Sequence, residues 1–445
     1  MTLSASTLLR RLVLLTALAL GSCGGGSVGD APGASGDALG GGTTVGSDIG
    51  SGGTGITGGG TGVASGGVGS GGTGVSGGSG GVGSGGTGAT ADAGIGSIDG
   101  FGSIIVNGVR YDISTATTML SDVSALKLGM TVRVTGSLSA DLTQGTATLV
   151  TSAADLRGKV SNLSAAGGTF TVLGVQVSTD PATVYAGGLM AFSGLANGVN
   201  VQVHGLPGAG GRLQATRIER LATAQDPVLT GYVQDLDRAA HVFRIGTQSV
   251  SYATADFPGD WPWSRLAEGQ VVRVRAAAVA STLAATAVEP WNPAPLRDGT
   301  RLSLGGLVTD YEGLQSLRID GVPADLSAVR LTSLAGAMAN GARVDATGTM
   351  QGGVLQVSTV RVRQAAPTTT ASAPPAEQTS FTARGSVGAY RSPSNFKVQG
   401  QDVDASAATY VGGTAADLGP GRKVLVTGSR VRDDVLAADQ VEFLN

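Results

Sequence analysis

The sequence predicts an all-β protein: a tandem array of about five small β-barrel modules of five or six strands each, behind a disordered glycine-rich tether. Three observations predict it. A short alternating pattern recurs along the chain, apolar-x-Val/Ile-x-Gly, as in Ile104-Ile105-Val106-Asn107-Gly108 and Leu317-Arg318-Ile319-Asp320-Gly321. A second pattern, Gly-x-x-Val-x-Val-x-Gly or a near variant, begins at Gly129, Gly198, Gly269, Gly341 and Gly421, at spacings of 69, 71, 72 and 80. Finally, 75 glycines in 445 residues are crowded largely into one segment.

The first pattern also appears at Phe170–Gly174 and Phe396–Gly400, with a shortened copy at Phe243–Gly246. Its period of two puts Phe, Leu, Ile and Val on one face and Arg244, Arg318 or Lys397 on the other, as a half-buried strand requires. The Asn-Gly and Asp-Gly pairs at its end favour a tight hairpin. In the second pattern Val199, Val201 and Val203 face inward, and Asn200, Gln202 and His204 face out. Each unit opens with Gly-x-Val/Ile or a close variant, at Gly96, Gly158, Gly231, Gly306 and Gly385, and closes with a strand such as Ala215-Thr216-Arg217-Ile218-Glu219. A short Ala/Leu turn, such as Ser124–Leu128, precedes the second pattern. The order is strand, strand, strand, short helical turn, strand, strand, which fits an OB-like barrel that protects its own edges. The modules are placed at 94–157, 158–223, 228–290, 303–363 and 381–445, with a Pro/Thr/Ala linker at 364–380.

Ahead of the modules, Arg10 and Arg11 precede an apolar run, Leu12–Leu20, too short to span a bilayer. Residues 1–22 read as a signal peptide, and Leu20-Gly21-Ser22-Cys23 resembles the lipobox of bacterial lipoproteins. That resemblance implies lipidation at Cys23, a membrane lipid as partner, and a place in the cell envelope. Gly24 in the following position favours the outer membrane. Cys23 is the only cysteine, so disulfides and a catalytic thiol elsewhere are excluded. Residues 23–93 form the Gly/Ser-rich tether, uncharged between Ile49 and Ala91. Such a segment buries too little apolar surface to offset its ordering entropy, and as a coil it spans roughly 45 Å. Within it, Gly74-Val75-Ser76-Gly77-Gly78 matches a nucleophile-elbow pattern, and Gly72–Gly77 a dinucleotide-binding one. Both lack the flanking strand and helix their chemistry needs.

Taken together, the lipobox, the tether and tandem copies of "VNGVRYD … LKLGMTVRVTG … TATLV" resemble bacterial lipoproteins built from domain-of-unknown-function family 5666, over about residues 94–445. The resemblance implies a repeated β-domain in envelope proteins and brings no catalytic residues with it.

Chemistry is sparse. Hydrolysis or group transfer needs a base, nucleophile or metal gathered in one place. The chain has two histidines, His204 in an outward slot and His241 in a turn, and nothing in the sequence pairs them. No metal site, cofactor or catalytic residue is expected, and the protein is expected not to be an enzyme. Glu219, Glu289 and Glu442 recur after the last strand's apolar residue, where acids commonly protect an edge. Arg133 and Arg273, with Arg244, Arg318 and Lys397, are outward cations of the kind that can line an anionic-polymer surface; more often such residues are simply the solvated face, which is the expectation for them. A formal charge of −3 and 4% aromatics argue against nucleic acid as a partner.

The candidate ligand-binding residues are the three tryptophans: Trp261 and Trp263 in the loop Phe257–Trp263, and Trp291 after the last strand of module three. Rings projecting from a loop can stack on sugar or base faces; more often they plug a core end or cement a joint. The functional expectation is a lipid-anchored envelope protein with a non-catalytic scaffolding or binding role, an envelope polysaccharide or protein being its partner. The alternative is a specific oligosaccharide- or nucleic-acid-binding module protein.

Overall fold

In the first strand of repeat one, Asp92–Phe101, glycine stands at 94, 96 and 100, and much of the architecture follows from how closely other strands can therefore approach it. A Cβ on Gly100 would run into Thr382 of repeat five, and one on Gly305 into Asn107. Without those side chains Asp92–Phe101 pairs parallel with Arg301–Gly313 (Ala93↔Leu302, Ile95↔Leu304) and with Phe381–Ser392 (Gly100↔Thr382, Phe101↔Ala383). The computed structural model describes residues 91–292, 296–329, 338–365 and 380–445, all within the unit Ser70–Asn445. Cys23, the signal peptide, nearly all of the tether and most of the 364–380 linker lie outside the described residues.

Among the described residues there are 32 strands, three 3-10 helices of three residues each, and no α-helix. The all-β expectation holds. The two repeated patterns form strands, and further short strands such as Thr117–Leu120, Val184–Ala186 and Thr409–Val411, absent from the expected order, lie between them. In repeat one, Asp92–Phe101 pairs antiparallel with Thr131–Leu138 through one half and with Ile104–Val106 through the other. Ile104–Val106 turns into Val109–Asp112, which lies parallel to Gln144–Ser152, which returns to Thr131–Leu138. The turns carry the left-handed pair a two-residue hairpin needs: Asn107 and Gly108 have φ of 55° and 83°, and Asp320 and Gly321 have 50° and 77°. Leu173-Gly174 and Gln399-Gly400 adopt the same conformation. The helical turn expected before the second pattern is a single 3-10 turn in three repeats, at Phe192–Gly194, Trp263–Arg265 and Ala415–Asp417.

The tandem array of discrete OB-like barrels does not survive. The strands form one continuous β-solenoid, a single hydrogen-bonded network of 32 strands. Repeat two joins repeat three where Leu156–Lys159 pairs with Val228–Tyr232 (Val228↔Arg157), and repeat five through Tyr185↔Arg432. Repeats four and five both return to repeat one, so order in space is not order along the chain. The cores merge accordingly. One cluster runs from Leu156, Phe170 and Val203 of repeat two into Phe243, Val272 and Leu283 of repeat three. A second joins Ile98, Tyr111 and Val134 of repeat one to Phe396, Val426 and Val441 of repeat five. A third takes Ala93 and Ile95 into repeat four. The physical reason is size: a unit of about 60 residues buries a modest fraction of its surface, and sharing cores and covering strand edges with neighbours stabilises each more than separation would.

Candidate functional site

Where repeats one, two, three and four meet, the side chains that alternate away from each apolar core face one another. Asp155, just ahead of the strand Leu156–Lys159, is completely buried. Its carboxylate accepts from Thr131 Oγ1 at 2.6 Å, from the Gly205 amide at 2.9 Å, and from Arg273 Nη2 at 2.9 Å. Burial pushes this carboxyl up, and the Arg273 and Arg133 charges oppose that. Arg273 also donates to the Ala154 carbonyl at 3.0 Å and to Glu289 Oε1 at 3.1 Å. One buried carboxylate thus holds strands from three repeats.

His204 lies against the same group at 1% exposure, its Nδ1 3.1 Å from Thr131 Oγ1. With Asp155 ionised beside Arg273, the single Thr131 proton goes to the carboxylate, so His204 donates from Nδ1 and Nε2 stays without a partner. Burial, with the Arg217 and Arg273 charges adding to it, lowers His204 to about 3. The imidazole is therefore neutral when folded. A group ordinarily at 6.5 that is held at about 3 contributes stability that is complete above pH 6.5 and lost as pH falls toward 3. A His204→Gln variant, compared with the parent by urea unfolding from pH 7 to pH 4, is expected to lose part of that acid-side fall; identical pH profiles would contradict it.

Trp291 closes the other side. It is 2% exposed, packs on Tyr232 and Val271, and donates from Nε1 to Asp320 Oδ2 at 2.7 Å. The Arg133 guanidinium lies 3.9 Å from its ring centre and that of Arg273 5.2 Å. Burial and the nearby Arg273 charge pull Arg133 down to about 10, and burial raises Asp320 to about 7 against the Trp291 hydrogen bond. A second clamp sits beside this group. Asp122 of repeat one accepts two hydrogen bonds from Arg275 of repeat three, at 3.0 and 2.9 Å, and pairs with Arg157 of repeat two at 2.6 Å. Burial would raise Asp122, but the two arginines hold it at about 2. Further joints pair Arg343 with Asp180, Arg301 with Asp92, and Arg363 with Asp99.

The structure therefore corrects the expectation that Arg133, Arg273 and His204 lie on a solvated face: all three are buried between repeats. The outward cations Arg244, Arg318 and Lys397 do face solvent, paired with Asp235, Asp310 and Asp402. Glu219 and Glu289 serve Arg217 and Arg273, and Asp433-Asp434 is a turn, from which Asp434 reaches Lys127 and Arg217.

The three tryptophans do not gather. Trp261 is buried at the end of the shared core of repeats two and three, its ring 5.8 Å from Phe257. The string continues through Tyr252 to His241, and Trp263, 48% exposed, ends it 5.8 Å from His241. Trp291 belongs to the joint. Among the described residues no group of three or more His, Cys, Asp or Glu is placed to hold a metal ion, and no helix is long and apolar enough to cross a membrane.

A different place is open. Between repeats one and five, beside the parallel pairing of their first strands, lies a cleft of about 570 Å³. Arg110, Arg384, Lys423, Gln399 and Ser386 line it. None of these was a site candidate in the sequence, because their convergence depends on repeat five folding back onto repeat one.

The family described as "Domain of unknown function (DUF5666)" matches residues 94–150, 157–219 and 384–442, that is, repeats one, two and five. A domain of this family is thus present over part of the chain. No curated protein matches it.

Proposed function

We propose that this chain, carrying DUF5666 domains in three of its five repeats, is a non-catalytic β-scaffold held at the cell envelope through a lipid on Cys23. The observation that carries the scaffold reading is the sealed ionic joint. The titratable residues of the junction, Asp155, His204, Arg273 and Asp320, are buried and committed to neighbouring repeats, so none is presented to a substrate. Buried networks of this kind fix geometry between elements. The Gly/Ser-rich composition of residues 23–93 is suited to spanning the distance between a lipid on Cys23 and the repeats.

The envelope reading rests on the sequence Leu20-Gly21-Ser22-Cys23. Its test is fractionation of cells expressing the full chain and a Cys23→Ala variant, with metabolic labelling by a palmitate analogue. The parent is expected in the membrane fraction, labelled, and the variant unlabelled and released. Equal labelling, or an unlabelled parent, would overturn the anchor. Turnover by the purified protein would overturn the non-catalytic reading.

A binding role is the second reading, and the exposure of Trp263 favours it. A neutral-glycan screen is expected to show weakened retention for Trp263→Ala, which removes an exposed ring. Trp261→Ala would instead damage the core.

A further inference from the structure

Several of the cations among the described residues are held in ion pairs. Those in the joints meet buried carboxylates, and Arg244, Arg318 and Lys397 meet aspartates of their own hairpins. The cleft between repeats one and five differs. Arg110 leaves the strand Val109–Asp112, Arg384 the strand Phe381–Ser392, and Lys423 the strand Lys423–Gly428, and all three are exposed where they line one cavity. None of the three forms an ion pair among the described residues. The acidic side chain in the cleft wall, Asp112, is engaged chiefly by its own turn: its carboxylate accepts from the Ser114 amide at 2.9 Å, which with the nearby Arg110 charge holds it below the usual carboxylate range.

The backbone explains why these charges meet. Gly102 has a φ of 116°, and a Cβ there would lie 2.5 Å from the Arg384 carbonyl oxygen, so only glycine lets repeat five seat this close. Two guanidiniums and an ammonium from two repeats are thereby held around one space in a chain whose formal charge is −3. Gathering three cations against one acidic side chain costs free energy, which a bound anion would offset.

We propose that this cleft is a binding site for an acidic oligosaccharide, a short glycan carrying carboxylate or sulfate groups. The volume, about 570 Å³, suits a ligand of a few sugar units. Guanidiniums pair with carboxylate or sulfate oxygens in two-point fashion, and Gln399 and Ser386 supply polar atoms for sugar hydroxyls. No aromatic side chain lines the cleft, so it has no platform for stacked bases, which sets nucleic acid aside. The site is distinct from the buried joint and goes beyond the scaffold reading: a scaffold with an inert cleft remains a scaffold.

The test is calorimetric titration of the full-length protein with oligogalacturonate, with a sulfated heparin-type oligosaccharide, with a neutral cello-oligosaccharide and with a single-stranded oligonucleotide of equal charge. Binding of an acidic glycan is expected, the first two probes telling carboxylate from sulfate, and it should weaken about tenfold or more in Arg384→Gln and in Arg110→Gln. It should also weaken with added salt and be unchanged in Arg244→Gln, which removes an exposed cation that does not line the cleft. Thermal melts of the exposed-residue variants matching the parent show that the fold is intact; if Arg384→Gln melts early, Lys423→Gln carries the same readout from a second strand. No binding of either acidic glycan, binding unaffected by the cleft variants, or equal binding of the oligonucleotide would overturn the proposal.

Discussion

Replacing Asp155 with alanine is expected to destabilise the protein by about 3–5 kcal/mol, because it takes from a buried guanidinium its fully buried partner and leaves only the half-exposed Glu289. Arg273 would keep only Glu289 and the Ala154 carbonyl, and the Thr131 hydroxyl and the Gly205 amide would lose their acceptor. Urea unfolding measures the loss. Asp155→Asn keeps the shape and one acceptor oxygen, so it should fall between the parent and alanine. The pair Asp155→Leu with Arg273→Met should recover much of the loss, since replacing both partners by apolar groups removes the unpaired charge. A loss below about 1 kcal/mol for Asp155→Ala would mean that water reaches this carboxylate and that the joint is not sealed.

Trp291→Ala carries the second large effect, about 3–5 kcal/mol for a buried tryptophan. The ring lies under the Arg133 guanidinium and against Tyr232 and Val271, and its N–H donates to Asp320 Oδ2. Two consequences are separable. Trp291→Phe retains most of the packing and the face beneath Arg133 but strands the Asp320 oxygen, so its loss should be about 1–3 kcal/mol. Trp291→Ala removes both. The groups come from repeats one, three and four, so thermal melting of the alanine variant should report lowered stability for the whole body. A second, unshifted transition would show that the repeats unfold apart.

What the sequence revealed was what repeats locally. The valines at 199, 201 and 203, the hairpin pairs Asn107-Gly108 and Asp320-Gly321, and the solvent-facing Arg318 and Lys397 all act within about 70 residues, where a period of two and turn chemistry suffice. What faces the far side of a strand does not follow from the period alone. His204 alternates away from its own core, yet that side is packed by other repeats, and its counterparts Thr135, Thr347 and Thr427 are likewise at least half-buried. Alternation distinguishes two faces but does not say that the second is wet.

The sequence carries one further signal of contact between repeats. Asp92, Asp99 and Asp155 stand in or beside the opening strands of repeats one and two, and Arg133, Arg217 and Arg273 recur on later strands. Opposite charges on the strands of different repeats are expected if repeats clasp one another. The sequence could not show which repeat meets which, because the return of repeats four and five to repeat one depends on close approach at Gly94, Gly100 and Gly102, far from their partners along the chain.

The most direct test of the continuous architecture is hydrogen exchange followed by mass spectrometry on the full chain, comparing the parent with Asp155→Asn. If repeats share cores, peptides from 157–219 and from 228–290 should lose protection together, although the substitution lies beside the first strand of repeat two only. Loss confined to the peptides of repeat two, with repeat three as protected as in the parent, would contradict a shared interior and restore a string of separate units.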